Sequence, residues 1–192
     1  MMKHIIFLFL ILISCSKAES QQLNSLNLPQ AKVSEIKNYI KGKEYNQELA
    51  VFINFKIPSG KYRYFIYNLE KNVIVQQAVV SHGSGSVIPK SDALKFSNIE
   101  GSYQSSLGKY AIGESYIGKF GKAYRLKGLD PTNSNAMQRA IVLHSYGCIP
   151  DVESKVPACL SLGCPMLSEN ALKASAKYLD KSTKPVILYA FY

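Results

Sequence analysis

Between residues 82 and 130 the chain places eight glycines (Gly83, Gly85, Gly101, Gly108, Gly113, Gly118, Gly121 and Gly128), with tyrosines interleaved at 103, 110, 116 and 124. Glycine at that density denies the segment a long helix, because each one raises the entropy cost of a helical backbone. Aromatic and β-branched residues separated by glycine turns instead predict short, strongly curved strands. Phe96, Leu107, Ile112, Phe120, Leu126 and Leu129 need burial and argue against disorder. The flanks agree. Residues 49–55 and 61–69 read as strands, the second alternating Tyr62, Tyr64 and Ile66 with Arg63, Phe65 and Tyr67. Lys71-Asn72 turns the chain back into the valine-rich 73–81, so the pattern is an antiparallel meander and not a βαβ unit. Helix is expected over 31–45, where Val33, Ile36, Ile40 and Tyr45 form a partial stripe behind Pro29, as one turn over 133–139, and over 171–179 behind Ser168. Residues 140–144 form a buried strand that delivers His144 at its end, and 185–192 form the last strand. The fold class is mostly β, in one domain with short peripheral helices.

The N-terminus carries a different signal. Lys3 and His4 precede an apolar run over residues 5–13 that is too short to span a bilayer, so it reads as an export leader. The run ends Leu12-Ile13-Ser14-Cys15, which resembles a lipobox with Cys15 as the lipidated residue; ordinary secretion with cleavage near Ala18 is the alternative. Ser16 and Lys17 follow without an aspartate, a pattern resembling outer-membrane sorting of a lipoprotein on the periplasmic side. Acylation at two positions of that cysteine would give a lasting membrane anchor. Residues 16–46 then comprise a polar tether and the first helix, and 47–192 the main domain. With 23 Lys and Arg against 13 Asp and Glu, a formal +10, the surface favours anionic partners such as cell-wall polymer or lipid headgroups. Export argues against nucleic acid, and many of these lysines serve only to solvate the surface. Oligomeric state leaves no signal in the sequence.

Beyond Cys15, the cysteines cluster at 148, 159 and 164. An odd number in an oxidising compartment suggests one disulfide and one free thiol. Cys148 with Cys159 is the preferred pair, closing a loop that contains Pro150 and Pro157; a reduced loop is the alternative. Cys164 then stands free on the turn Ser161-Leu162-Gly163-Cys164-Pro165. A thiol is nucleophilic as thiolate and needs a base, and His144 is the better-placed candidate. Backbone N–H groups at Gly163 and Cys164 offer an oxyanion hole, and Ser145 or a backbone carbonyl can orient the imidazole. His82 on its glycine turn can line a groove or simply hydrogen-bond the turn, and Tyr103 and Tyr110 are either groove or core. Gly108 suits a floor beneath a substrate, and Arg125 suits either a substrate contact or a salt bridge. A different chemistry uses the same atoms: His144, Cys148, Cys159 and Cys164 number four potential zinc ligands, although no CxxC pair is present.

Several dispersed stretches carry a family likeness in order: Ser81-His82-Gly83-Ser84-Gly85-Ser86, Phe96-Ser97-Asn98, Gly101-Ser102-Tyr103-Gln104-Ser105-Ser106-Leu107-Gly108, and Tyr124-Arg125-Leu126-Lys127-Gly128-Leu129. Asn133-Ser134-Asn135-Ala136, residues 139–145 and residues 161–165 continue it. Over roughly 47–192 the chain resembles the L,D-transpeptidase catalytic domain family (the YkuD-like group), in its murein branch with a Gly-Cys-Pro motif. The wider family's signature is a histidine, a gap, then Ser/Thr-His-Gly-Cys followed by Ile/Val-Arg. These fall on His144, Ser161, Gly163 and Cys164. Leu162 stands where most members carry a second histidine, and Pro165-Met166 replaces the hydrophobic-Arg pair, for which Arg125 or Lys127 is a candidate substitute. The resemblance implies a β-sandwich or barrel with short peripheral helices. It also implies a two-step acyl transfer: Cys164 attacks a diamino-acid carbonyl in a peptidoglycan tetrapeptide stem, D-Ala leaves, and an amine or water resolves the thioester. His82, Gly83, Tyr103, Gly108, Tyr110, Arg125 and Ser161 are the expected substrate contacts. This chemistry requires no metal and no organic cofactor.

Overall fold

The computed structural model describes residues 27–192. The leader, the expected lipidation site Cys15 and most of the tether lie outside that range. Eight strands, β1 (Leu49–Asn54), β2 (Tyr62–Asn68), β3 (Val73–Val79), β4 (Gly108–Gly118), β5 (Gly121–Gly128), β6 (Val142–Ser145), β7 (Met166–Leu167) and β8 (Val186–Phe191), form one sheet. Its order is β3-β2-β1-β8-β4-β5-β6-β7. Beyond the end of β3, the Ser81 N–H donates to the Met166 carbonyl at 3.0 Å and Gly83 bridges Ser161, which brings the two edges together into a nearly closed barrel. The meander β1-β2-β3 is antiparallel, as its turns dictate. The sheet as a whole is not: β1 runs parallel to β8, and β6 parallel to β7.

β1 and β8 read as unbroken apolar runs because both faces are covered. Val51, Ile53 and Leu188 point into the barrel with Ile66, Leu126 and Leu143, and helix α2 (Glu169–Leu179) closes that core with Leu172 and Leu179. Ala50, Phe52 and Ile187 point outward under helix α1 (Gln30–Ile40), whose Val33, Ile36 and Ile40 stripe is buried with Leu28. Each such aliphatic side chain contributes roughly 1.5–3 kcal/mol when fully buried. The first helix therefore packs as part of the same body, which reaches back before residue 47. It stops at Ile40, short of the expected Tyr45, and Gly42 follows at φ 71°. α2 begins at Glu169, two residues ahead of the expected 171, with the Ser168 hydroxyl accepting the Ala171 N–H.

The segment from 84 to 107 departs from expectation. It contains a single turn of 3-10 helix (Ser84–Ser86) and an isolated bridge between Val87 and Leu94, with no strand. Its glycines serve close approach: a Cβ on Gly83 would lie 2.1 Å from the Tyr103 carbonyl oxygen, and one on Gly85 2.0 Å from that of Ser102. Two backbone strips thus lie flat against each other beside the chain that carries Cys164. Cys148 and Cys159 are joined, eleven residues apart, over a small cluster of Val79, Ile149, Ala158 and Met166. Closing a loop of that length restrains the unfolded chain by about 3 kcal/mol.

Candidate active site

Cys164 is the free cysteine among the described residues. It lies just before β7, whose Met166 pairs with His144 of β6, so thiol and imidazole come from adjacent parallel segments. The sulfur sits in a backbone cradle. The S–H donates to the Ala140 carbonyl at 3.7 Å, and the Val142 N–H donates to the sulfur. Ala140 is held at φ 52°, a left-handed conformation that costs a non-glycine residue about 1 kcal/mol or more and here turns its carbonyl toward the thiol.

His144 is buried, and its Nδ1 lies 2.9 Å from the Ser145 carbonyl oxygen. A carbonyl only accepts, so Nδ1 carries the proton and Nε2 keeps its lone pair, the tautomer a general base needs. The third role thus falls to the Ser145 backbone and not to its hydroxyl. Burial pulls the imidazole below its ordinary value, and the bond to Ser145 opposes this only in part. Burial likewise pushes the Cys164 thiol up, while the Val142 N–H and the charge of Arg139 pull it down by less. The resting pair is neutral thiol and neutral imidazole. Alkylation of Cys164 by iodoacetamide is therefore expected to keep accelerating beyond pH 9.0, the ordinary thiol value. A plateau reached below pH 8 would instead reveal a preformed thiolate–imidazolium pair.

The nucleophile turn is held from below. The Ser161 N–H donates to the His82 carbonyl at 2.9 Å, the Ser161 carbonyl accepts from the Ser84 N–H at 2.7 Å, and the Ser161 hydroxyl accepts from the Gly163 N–H at 3.0 Å. Gly163 adopts φ 121°, open to glycine alone. Its N–H is consumed by Ser161, so the expected oxyanion donor reduces to the Cys164 N–H, which has no acceptor among the described residues. Ser161 is buried and braces the turn.

The other expected contacts scatter. Tyr110 is core: 3% exposed, its hydroxyl donating to the Ser106 carbonyl at 2.9 Å. Gly108 packs against the turn at 130–133, where a Cβ would lie 2.8 Å from Asp130 Oδ2, and lines a cleft of about 300 Å³ that includes neither Cys164 nor His144. The Gly83 N–H is spent on the Ser105 hydroxyl. Arg125 stands on the exposed face of β5, its guanidinium 4.5 Å from the Tyr116 ring centroid, with no ion pair among the described residues. Tyr103 is exposed at φ 54° on the strip facing Gly83. His82 is buried against Arg63. A cleft of about 600 Å³ is lined by Glu114, Tyr124, Asp180, Ser182 and Lys184 among others and includes neither Cys164 nor His144.

Two residues at the site were not among the candidates, although one, Arg139, opens the matching stretch 139–145. Phe120, at the tip of the β4–β5 hairpin, stacks on His144 with ring centroids 4.9 Å apart and meets Tyr146 edge-on. It is half exposed, not core; an aromatic alone in a tight glycine turn was its one clue. Arg139 donates to the Ser97 and Gln104 carbonyls at 2.8 and 2.6 Å and to the Ser106 hydroxyl, with Nη2 3.4 Å from where a Cβ on Gly163 would sit. It supplies a positive charge near the Cys164 thiol. The disulfide withholds two of the four atoms a zinc site would need, and no cluster of three ligating side chains occurs among the described residues.

No curated protein sequence matches the chain. Among solved structures it is similar to the helical cell shape determining protein Pgp2 from Campylobacter jejuni (K307A mutant), at 18% identity and TM-score 0.50 over 82% of this chain and 52% of that one. It is also similar to an L,D-transpeptidase from Mycobacterium smegmatis, at 12% identity and TM-score 0.44 over 76% of this chain and 59% of that one. The chain thus matches just over half the length of these solved relatives. The L,D-transpeptidase catalytic domain model matches residues 19–191, nearly the whole sequence. By that match the chain belongs to the L,D-transpeptidase catalytic domain family, which acts on peptidoglycan peptides.

Proposed function

We propose that this chain is a cysteine acyltransferase acting on peptidoglycan stem peptides, carried by one observation: a free Cys164 in a backbone cradle, two residues before the Met166 that pairs with His144, whose neutral ring holds the base-competent tautomer. His144 Nε2 takes the Cys164 proton as sulfur attacks the carbonyl of the diamino acid, and the Cys164 N–H receives the developing oxyanion. The C–N bond to D-Ala breaks, the amine leaves with the proton from His144, and a thioester remains. An amine of a second stem then attacks, His144 takes its proton, and the thiol is restored with a 3→3 cross-link; water in place of the amine gives L,D-carboxypeptidase activity. The basic surface suits an anionic wall, and an acylated Cys15 would hold the domain at the membrane, on the periplasmic side of the outer membrane. Leu162, exposed where most members carry a second histidine, favours one other reading: a wall-binding lipoprotein without turnover.

Intact-protein mass spectrometry of residues 20–192 with disaccharide-tetrapeptide separates the two. Acyl transfer yields a Cys164 adduct with loss of D-Ala, then dimer or tripeptide, and Cys164→Ala yields neither. Folded protein with a free thiol that gives no adduct, yet binds the muropeptide, is the wall-binding lipoprotein.

A further inference from the structure

Arg63 interrupts the alternation of β2 as a buried cation. It is 1% exposed and has no carboxylate partner among the described residues. Its Nε donates to the Val80 carbonyl at 2.9 Å, its Nη1 to the Ile57 carbonyl at 3.2 Å, and its Nη2 to His82 Nδ1 at 2.8 Å; the Phe55 ring lies 5.1 Å away. Carbonyl dipoles and a ring face offset only part of the cost of burying a full charge, and such charges are ordinarily paired. Burial lowers the guanidinium to about 9, still charged at neutral pH.

The second observation is His82. Arginine only donates, so Nδ1 is the acceptor and Nε2 carries the proton. His82 is 6% exposed, and its ring stays neutral, held at about 4 by burial and by the adjacent guanidinium. Nε2–H has no partner among the described residues, and no fully enclosed side-chain nitrogen or oxygen lacks one, so this N–H reaches the surface. Its backbone runs beside the nucleophile. The His82 carbonyl accepts from Ser161, and the neighbouring Ser81 hydroxyl donates to the Cys164 carbonyl at 3.2 Å. The backbone of His82 is thus fixed against the 161–164 turn, which itself carries Leu162 and no histidine.

We propose that Arg63 and His82 are the protein half of a carboxylate site: His82 Nε2–H donates to a free carboxylate of the donor stem peptide, whose charge is the counter-ion that Arg63 lacks. His82 touches the substrate, and Arg63 is a positioning residue that fixes the tautomer and supplies the field. The assignment rests on the stem-peptide reading above and sharpens it, selecting donors by a free carboxylate.

The test measures binding, independent of turnover, by calorimetry on Cys164→Ala with disaccharide-tetrapeptide as free acid and with its carboxylates converted to carboxamides. The free acid is expected to bind about tenfold tighter or more, the usual weight of a charge-assisted hydrogen bond. Adding His82→Asn, whose Oδ1 can still accept from Arg63 but which lacks the Nε2–H, brings the acid-to-amide ratio close to one with the melting temperature kept. Adding His82→Gln, with an amide N–H near the Nε2 position, keeps a ratio of at least three. An unchanged ratio in His82→Asn, or a ratio of one before any change at 82, overturns the site. Folded Cys164→Ala that binds neither ligand overturns the stem-peptide reading itself, a result distinct from either.

Discussion

Replacing His144 by alanine is expected to slow thioester formation at Cys164 by about a thousandfold at pH 7, within the range that general-base removal commonly costs. The size follows from the resting state. With the thiol raised by burial, little thiolate exists at neutral pH, so attack by Cys164 depends on proton transfer at that moment. His144→Gln retains a polar group of similar reach but no base, and is expected to lose as much. The pH profile carries the diagnosis. In the wild type the rate requires neutral imidazole, so it is held above the histidine's pKa and lost as pH falls through it. Because burial lowers that pKa, the acid limb lies below 6.5. In the alanine variant this limb disappears and the rate climbs with hydroxide until the thiol itself ionises. Phe120→Ala is expected to wet the ring and move the wild-type limb back toward 6.5, since the stacked phenyl is part of what buries it. An unchanged rate in His144→Ala, measured by adduct formation against time, would remove His144 from the chemistry.

Much of this arrangement was legible from local patterns. The strand over residues 61–69, the turn at Lys71-Asn72 and the serine before α2 are decided by neighbours in sequence, and the structure follows them. The family likeness depends on short ordered stretches, and it pointed to the segment that carries Cys164 and His144. Long-range pairing has no such local trace. The parallel contact of β1 with β8 joins segments more than a hundred residues apart, and nothing in either apolar run states its partner. The glycines of 82–108 were read as turns between strands, yet Gly83 and Gly85 exist to let one backbone lie on another. Arg63 fitted a strand's outward face by alternation, and a register shift between Tyr62 and Tyr64 places it inside. Arg139 stands in a polar turn where a cation ordinarily solvates a surface, and only folded geometry brings three acceptors around it.

Arg139→Met is the second large effect. The guanidinium ties the strip over 97–106 to the floor beneath Gly163, donating to the Gln104 carbonyl, to the Ser97 carbonyl that the Ser106 hydroxyl also reaches, and to that hydroxyl. Each hydrogen bond to a charged donor contributes about 1.5–3 kcal/mol, so losing the two carbonyl bonds alone costs on the order of 3 kcal/mol or more. Urea unfolding is expected to show that loss as a lower midpoint with an unchanged slope, because the exposed surface on unfolding hardly changes. Reactivity falls for a separate reason. Arg139 is a charge that pulls the Cys164 thiol down, and without it the thiolate fraction at any given pH decreases. Iodoacetamide alkylation at pH 8 should therefore slow severalfold even under conditions where the variant is fully folded. Arg139→Lys separates the two contributions, since an ammonium restores the charge but, as a point donor, cannot span Ser97 and Gln104 together. It is expected to recover most of the alkylation rate and little of the midpoint. If the methionine variant keeps both its midpoint and its alkylation rate, the guanidinium neither braces the strip nor tunes the nucleophile. If lysine restores the midpoint but not the rate, the link between the charge and the thiol is broken, and the cradle formed by Ala140 and Val142 alone sets the reactivity of Cys164.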